Sequence, residues 1–263
     1  MSDFGGGLRS ISPKFPMNER TYIPMMSATA VRAILATLSA RTTLERELFV
    51  VEYGSGHSTK FFVDQLAGEG VRARFISVER SAPWYETMRA LFPGGVLAKN
   101  EWSLKDYVAF LRARPQNRWD VPPECSRLAR EQRKMKTVRY IVQFLMRRKN
   151  FWYDAKYSMQ VGSVNFEYFY IYEGFKDQYG ESPNKYTYIN LPLAALHRAL
   201  DAGQECHTVF IIDGGPRADV VEEIFSLVDW YKNVTVDIFL LEAYRGYYQP
   251  VLSSRSGGRF IAV

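Results

Sequence analysis

The stretch Val50-Val51-Glu52-Tyr53-Gly54-Ser55-Gly56-His57-Ser58-Thr59-Lys60 decides the fold. A run of apolar and β-branched residues, Leu48 to Val51, ends in an acid. Glycines follow at 54 and 56, then Ser58 and Thr59, then the amphipathic segment Lys60 to Leu66. This order predicts a buried strand, a tight glycine turn and a helix start. Glycine has no Cβ and tolerates positive φ, so backbone at such a turn can come close to a ligand. The helix beyond it points free N–H groups at whatever sits over the turn. We read the stretch as one end of a nucleotide-like cofactor site.

Outward from this turn, strands and helices alternate. Upstream, Ser27 is positioned to cap a helix through Val31, Ile34, Leu35 and Leu38. Downstream, Ala73 to Glu79 reads as a second strand ending in an acid, and Pro83 opens a helix that Pro93-Gly94-Gly95 stops. Val96-Leu97-Ala98 is a short third strand. After a long gap, His207 to Asp213 is a fourth strand, Ala218 to Tyr231 an amphipathic helix, and Val234 to Leu241 a fifth strand followed by Glu242. Arg259 to Val263 could close the sheet. Alternation of this kind argues for an α/β fold with a parallel sheet.

Between the third and fourth strands the alternation breaks. Residues 103–190 hold a Pro-rich joint, a basic helix over about 124–149 and an aromatic stretch from Phe151 to Tyr188. A structureless loop of that length is improbable in a compact domain, so we expect an insertion with structure of its own. The expected organisation is a flexible arm (1–26), the first half of a cofactor domain (27–102), the insertion as a lid or acceptor-binding region (103–190), and the second half (191–263).

Composition sets outer limits. The chain has 263 residues, 47% hydrophobic and 24% charged, enough for a large core. Its net charge of +6 permits an anionic partner without selecting one. The two cysteines, Cys125 and Cys206, are far apart and show no metal spacing, so no metal site is expected and both are read as reduced thiols. The first twenty residues lack an apolar h-region, and no apolar run approaches the ~18 residues of a membrane span. The expected setting is cytoplasmic.

Glu52, Glu79, Asp213 and Glu242 all close strands. In a parallel α/β sheet the ligand crevice lies at the carboxyl ends of the strands, so the four would gather at one edge. The spacing bears on the cofactor. A dinucleotide fingerprint needs Gly-x-Gly-x-x-Gly, and here Thr59 stands where the third glycine would be. A carboxylate two residues before Gly54 would crowd a pyrophosphate and suits a ligand with a cationic end.

At these residues the sequence resembles the class I S-adenosylmethionine-dependent methyltransferases. It is most similar to a branch whose first motif reads Gly-Ser-Gly-x-Ser-Thr, here Gly54–Thr59, followed by Ser77-Val78-Glu79 and Trp84-Tyr85. Asp213, Gly214 and Arg217 match the branch near the fourth strand, and Glu242, Arg245 and Tyr248 after the fifth. Glu242 departs from the more usual Asp, and Arg80 from another polar residue. The likeness covers about residues 46–100 and 190–250. It implies a three-layer, Rossmann-like methyltransferase sheet with a helical and aromatic insertion.

The resemblance also implies roles. Gly54, Ser55 and Gly56, with Ser58 and Thr59, would form the cofactor turn, and Glu52 would help hold the cofactor's ammonium. Glu79 would take the ribose hydroxyls. Asn100, Glu101 and Trp102 would lie by the adenine. Asp213 is the first candidate for general base and His57 the second; Arg217, Glu242 and Arg245 would face the acceptor. The expected activity is transfer of a methyl group from S-adenosylmethionine to oxygen of a sugar-containing or other small polar or anionic acceptor. The basic helix, with Arg127, Arg130, Arg133, Lys134, Lys136 and Arg139, keeps an RNA methyltransferase open as an alternative. A non-catalytic cofactor-binding protein is the other. Oligomeric state is undetermined by the sequence.

Overall fold

The computed structural model describes residues 26–41, 46–98, 155–171, 188–189, 191–242 and 260–262. The first helix, α1 (Ala28–Arg41), starts where Ser27 Oγ accepts the Ala30 N–H at 3.1 Å. β1 (Glu47–Tyr53), α2 (His57–Gly68), β2 (Ala73–Glu79) and α3 (Ala82–Leu91) follow as the sequence predicts. β3 (Val96–Ala98), β4 (Ala155–Val161) and β5 (Val164–Tyr170) come next, then α4 (Ala194–Asp201), β6 (Cys206–Ile212), α5 (Arg217–Trp230), β7 (Val234–Leu240) and β8 (Phe260–Ala262).

The eight strands among the described residues form one mixed sheet in the order β3-β4-β5-β2-β1-β6-β7-β8. From β5 to β8 every neighbouring pair is parallel. β3, β4 and β5 join antiparallel. The chain moves outward one way from β1 to β2 and the other way from β6 to β7. The β1/β6 junction is therefore the switch point, where an open α/β sheet forms its ligand crevice.

Side-chain parity builds the layers. Along β1, Phe49, Val51 and Tyr53 pack with α4 and α5 through Leu196, Val221 and Ile224. The alternate residues Leu48 and Val50 pack with α1, α2 and α3 through Ile34, Phe62 and Met88. Successive residues of a strand point to opposite faces, so each face buries its own set. The result is a three-layer α/β domain.

Two expectations are corrected here. Val96–Ala98 is an antiparallel edge strand, not the third parallel strand. The place beside β2 belongs to β5, which comes from the aromatic stretch. Val164, Phe166 and Tyr168 alternate along β5 and are fully buried on the α1–α3 side, so this stretch is sheet core. An insertion running unbroken over 103–190 is therefore wrong for residues 155–170. The basic helix at 124–149 lies outside the described residues. No helix among the described residues is long and apolar enough to cross a membrane.

At the amino ends of β6 and β7 lies a buried polar cluster. His207 Nε2 meets Asp237 Oδ2 at 2.8 Å, and Arg41 Nε at the end of α1 donates to the same oxygen at 3.0 Å. Burial pushes the Asp237 carboxyl up, but hydrogen bonds from His207 and Arg41 outweigh it and hold it below its ordinary value. Such a group stabilises the fold above its unfolded pKa of about 3.9, and this contribution is lost as pH falls through the lower folded value. Asp237→Asn is expected to cost roughly 2 kcal/mol at pH 7, the scale of hydrogen bonds to a charged group. Denaturant titrations should show this deficit shrinking towards pH 2; an equal deficit at both pH values would refute the account.

Candidate functional site

The two turns at the switch point are built against each other. The Tyr53 carbonyl accepts the N–H groups of Asp213 at 2.9 Å and Gly214 at 2.8 Å. Gly54 has φ +89, and a Cβ on it would lie 2.7 Å from Gly214 N. A Cβ on Gly214 would in turn lie 2.9 Å from Gly54 Cα. Gly54 was expected to leave room for a ligand; its first demand is set instead by Gly214. Gly56 differs. Its backbone is extended, and the nearest atom to a Cβ there is Ser58 Oγ at 3.8 Å. Space beside Gly56 is open to a ligand that comes close to backbone.

Glu52 does not reach the rim. It shares parity with Leu48 and Val50, so its side chain turns beneath α2 and is 0% exposed. Thr59 Oγ1 donates to Oε2 at 2.6 Å, Ser77 Oγ to the same oxygen at 2.7 Å, and Ser58 Oγ to Oε1 at 3.3 Å. The expected contact between Glu52 and a ligand ammonium is therefore closed off by burial. Ser58 and Thr59 are buried as well, and spend their hydroxyls on Glu52. Thr59 Oγ1 also accepts the Gly56 N–H at 3.0 Å, which sets the first turn of α2. Burial pushes the Glu52 carboxyl up to about 7 against the pull of the three hydroxyls, with the charge of Asp213 adding to the rise.

Glu79, at the end of β2, lies beside the turn. Its Oε2 accepts the Ser55 N–H at 3.0 Å and the Ser55 hydroxyl at 3.1 Å. Its Oε1 accepts the N–H groups of Arg80 at 2.8 Å and Ser81 at 2.7 Å. The Ser55 hydroxyl also meets the Tyr168 hydroxyl of β5 at 2.6 Å. Tyr168 belongs to the aromatic stretch that the sequence assigns to an insertion, and nothing local in that stretch points to its place beside Ser55.

Across the switch point, Arg217 at the start of α5 gathers the other acids. Its Nη2 lies 2.9 Å from Glu242 Oε2 and 3.5 Å from Asp213 Oδ1. The same nitrogen donates to the Asp213 carbonyl, and Nη1 donates to the Leu241 carbonyl at 3.2 Å. Glu242 takes φ +55, a left-handed conformation rare for a residue with a Cβ. Asp213 and Glu242 keep 39% and 31% of their side chains exposed, while Arg217 keeps 12%. His57 opens α2, its ring edge-on to Trp84 of α3 at 5.6 Å. Asn100, Glu101, Trp102 and Arg245 lie outside the described residues. Among the described residues no group of three or more His, Cys, Asp or Glu is placed to hold a metal.

The rim thus runs from Glu79 through Ser55 and Gly54 to Gly214, Asp213, Arg217 and Glu242. Compared with family models, curated proteins and solved structures, the chain matches none.

The elevated Glu52 carboxyl carries a stability signature. A carboxyl that holds its proton more tightly when folded favours the fold at low pH. Stability falls as pH rises from the ordinary value of 4.5 to about 7. At 1.36 kcal/mol per pKa unit the loss is about 3 kcal/mol. Glu52→Gln should flatten this slope in denaturant titrations between pH 4 and 8. A variant as pH-dependent as the parent would show that Glu52 titrates alike in both states.

Proposed function

We propose that the chain is an S-adenosylmethionine-dependent methyltransferase acting on oxygen of a sugar-containing or other small polar or anionic acceptor. The observation that carries this reading is the continuous rim across the switch point, with the Glu79 carboxylate on one side and the half-buried acids Asp213 and Glu242 on the other.

The residues fit an adenosine-type cofactor. Glu79 places a carboxylate at the end of β2 with Oε2 held by Ser55 alone, and Gly56 leaves the space beside its backbone open. Bound there, the cofactor would supply an electrophilic methyl group. Glu79 would bind a ribose diol, and Gly56 would admit the ligand against the first turn of α2. Glu52 acts one layer below, as a positioning residue that ties this turn to β1 and β2. Alignment of the acceptor can supply much of the rate. Asp213 has the exposure to accept the proton that an acceptor hydroxyl loses, and Arg217 fixes its direction. His57, on the other side of Gly54, is the second candidate for that task.

Calorimetry with S-adenosylmethionine tests the site. The parent should bind; Glu79→Ala should weaken binding at least about tenfold, the scale of one lost charged hydrogen bond, and Gly56→Ala should weaken it by placing a methyl group in the space the ligand would take. Gly56→Ala should keep the parent's thermal stability. Gly54→Ala should instead cost about 3 kcal/mol of stability, from positive φ and overlap with Gly214. No binding by the parent would refute the reading.

Catalysis is tested separately. Radiolabelled cofactor incubated with a fractionated cell extract should label one acceptor fraction. Asp213→Asn should keep cofactor affinity and lower that labelling about 100-fold, the lower range for a lost general base. Undiminished labelling would remove Asp213 as the base and leave His57.

A further inference from the structure

A carboxylate has about four acceptor positions. In Glu79 all four are filled by the protein itself: Ser55 N–H and Oγ–H at Oε2, Arg80 N–H and Ser81 N–H at Oε1. The Oε1 donors belong to the backbone that leaves β2, so they hold the carboxylate in place. The Oε2 donors belong to a single residue between two glycines. A ligand diol can therefore reach Glu79 only by replacing Ser55, two donors for two donors.

The Ser55 hydroxyl has a second partner. It spends its one hydrogen on Glu79, so in the 2.6 Å contact the Tyr168 hydroxyl is the donor. Tyr168 is fully buried and stacked on Tyr85, ring centroids 5.0 Å apart. It cannot follow a ligand. Burial pushes its phenol well above the ordinary value, which keeps it a donor.

We propose that Ser55 and Tyr168 determine which ligands Glu79 accepts: Ser55 stands in for a vicinal diol at Oε2, and Tyr168 retains the Ser55 hydroxyl when a ligand diol displaces it. This rests on the reading that Glu79 takes a ribosyl ligand, and goes beyond it in naming the residues that set the selection. Ligands with one hydroxyl or none cannot repay both contacts of Ser55 and are disfavoured. Tyr168 acts through Ser55 and is a positioning residue.

The test is a double-mutant cycle read by calorimetry with S-adenosylmethionine and its 2′,3′-dideoxy analogue. Tyr168→Phe should weaken S-adenosylmethionine about tenfold, because the displaced Ser55 hydroxyl is then stranded. In a Ser55→Ala background Tyr168→Phe should have no effect, and Ser55→Ala alone should raise affinity for S-adenosylmethionine about threefold. The dideoxy analogue should bind all four proteins equally weakly. A structural role for Tyr168 would weaken both ligands alike, or persist in the Ser55→Ala background; either result overturns the proposal. If Tyr168→Phe does not fold, Ser55→Ala decides alone, and unchanged affinity there overturns it. A parent that binds neither ligand defeats the methyltransferase reading itself, and this proposal with it.

Discussion

One carbonyl joins the two halves of the rim at the carboxyl ends of the strands. Tyr53 ends β1, and its oxygen takes N–H groups from both residues that follow β6. That forked contact brings Gly54 and Gly214 so close that neither tolerates a Cβ. The geometry of the rim follows from it. Ser55 is the next residue along one arm and reaches Glu79; Asp213 precedes Gly214 on the other and reaches Arg217. Separating the turns by a methyl group would move every one of these side chains. The glycine pattern of this edge is thus a folding requirement at 54 and 214, and is free for ligand recognition only at 56.

Beneath the edge sits a carboxylate in an expensive place. A buried acid without partners loses its hydration and gains nothing in return. Glu52 meets three hydroxyls from two segments: the first turn of α2 supplies two and β2 supplies one. An apolar residue there would avoid the desolvation but leave Ser58, Thr59 and Ser77 without their acceptor. Polar networks in a low-dielectric interior stabilise when every member is satisfied, and they fix a single arrangement. Here the arrangement fixed is the entry angle of α2, and with it the position of Gly56.

How much of this was legible in the chain follows from range. The strand, turn and helix at 47–68 depend on neighbours in sequence, and the apolar run and glycines declare them. The direction of Glu52 was legible too, because its parity with Leu48 and Val50 puts it on the helix side, but an acid at a strand end invites a reading at the rim. β5 was missed for a different reason. Its aromatic residues signal burial and carry no information about which strand they will pair with, and β2 lies more than eighty residues upstream of that pairing. The cluster of Arg41, His207 and Asp237 is equally non-local. Its members span nearly two hundred residues of chain, and nothing in a local pattern links a helix end to two later strands.

The strain at Glu242 bears on how the acid side of the rim works. A left-handed residue with a Cβ costs on the order of 1–2 kcal/mol, and such a conformation lasts only where surroundings hold it. Arg217 is that restraint: one guanidinium binds the Leu241 carbonyl, the Glu242 carboxylate and the Asp213 backbone. Relaxing Glu242 into an extended conformation would swing its carboxylate away and leave the mostly buried Arg217 short of one counter-charge. The two acids are thus coupled through one cation, and moving either changes the field at the other. Within the proposed reaction this makes Arg217 a spacer more than an acceptor-binding residue. It sets the distance between the acid that would receive a proton and the acid that would face the acceptor, at the point where β6 and β7 leave the sheet.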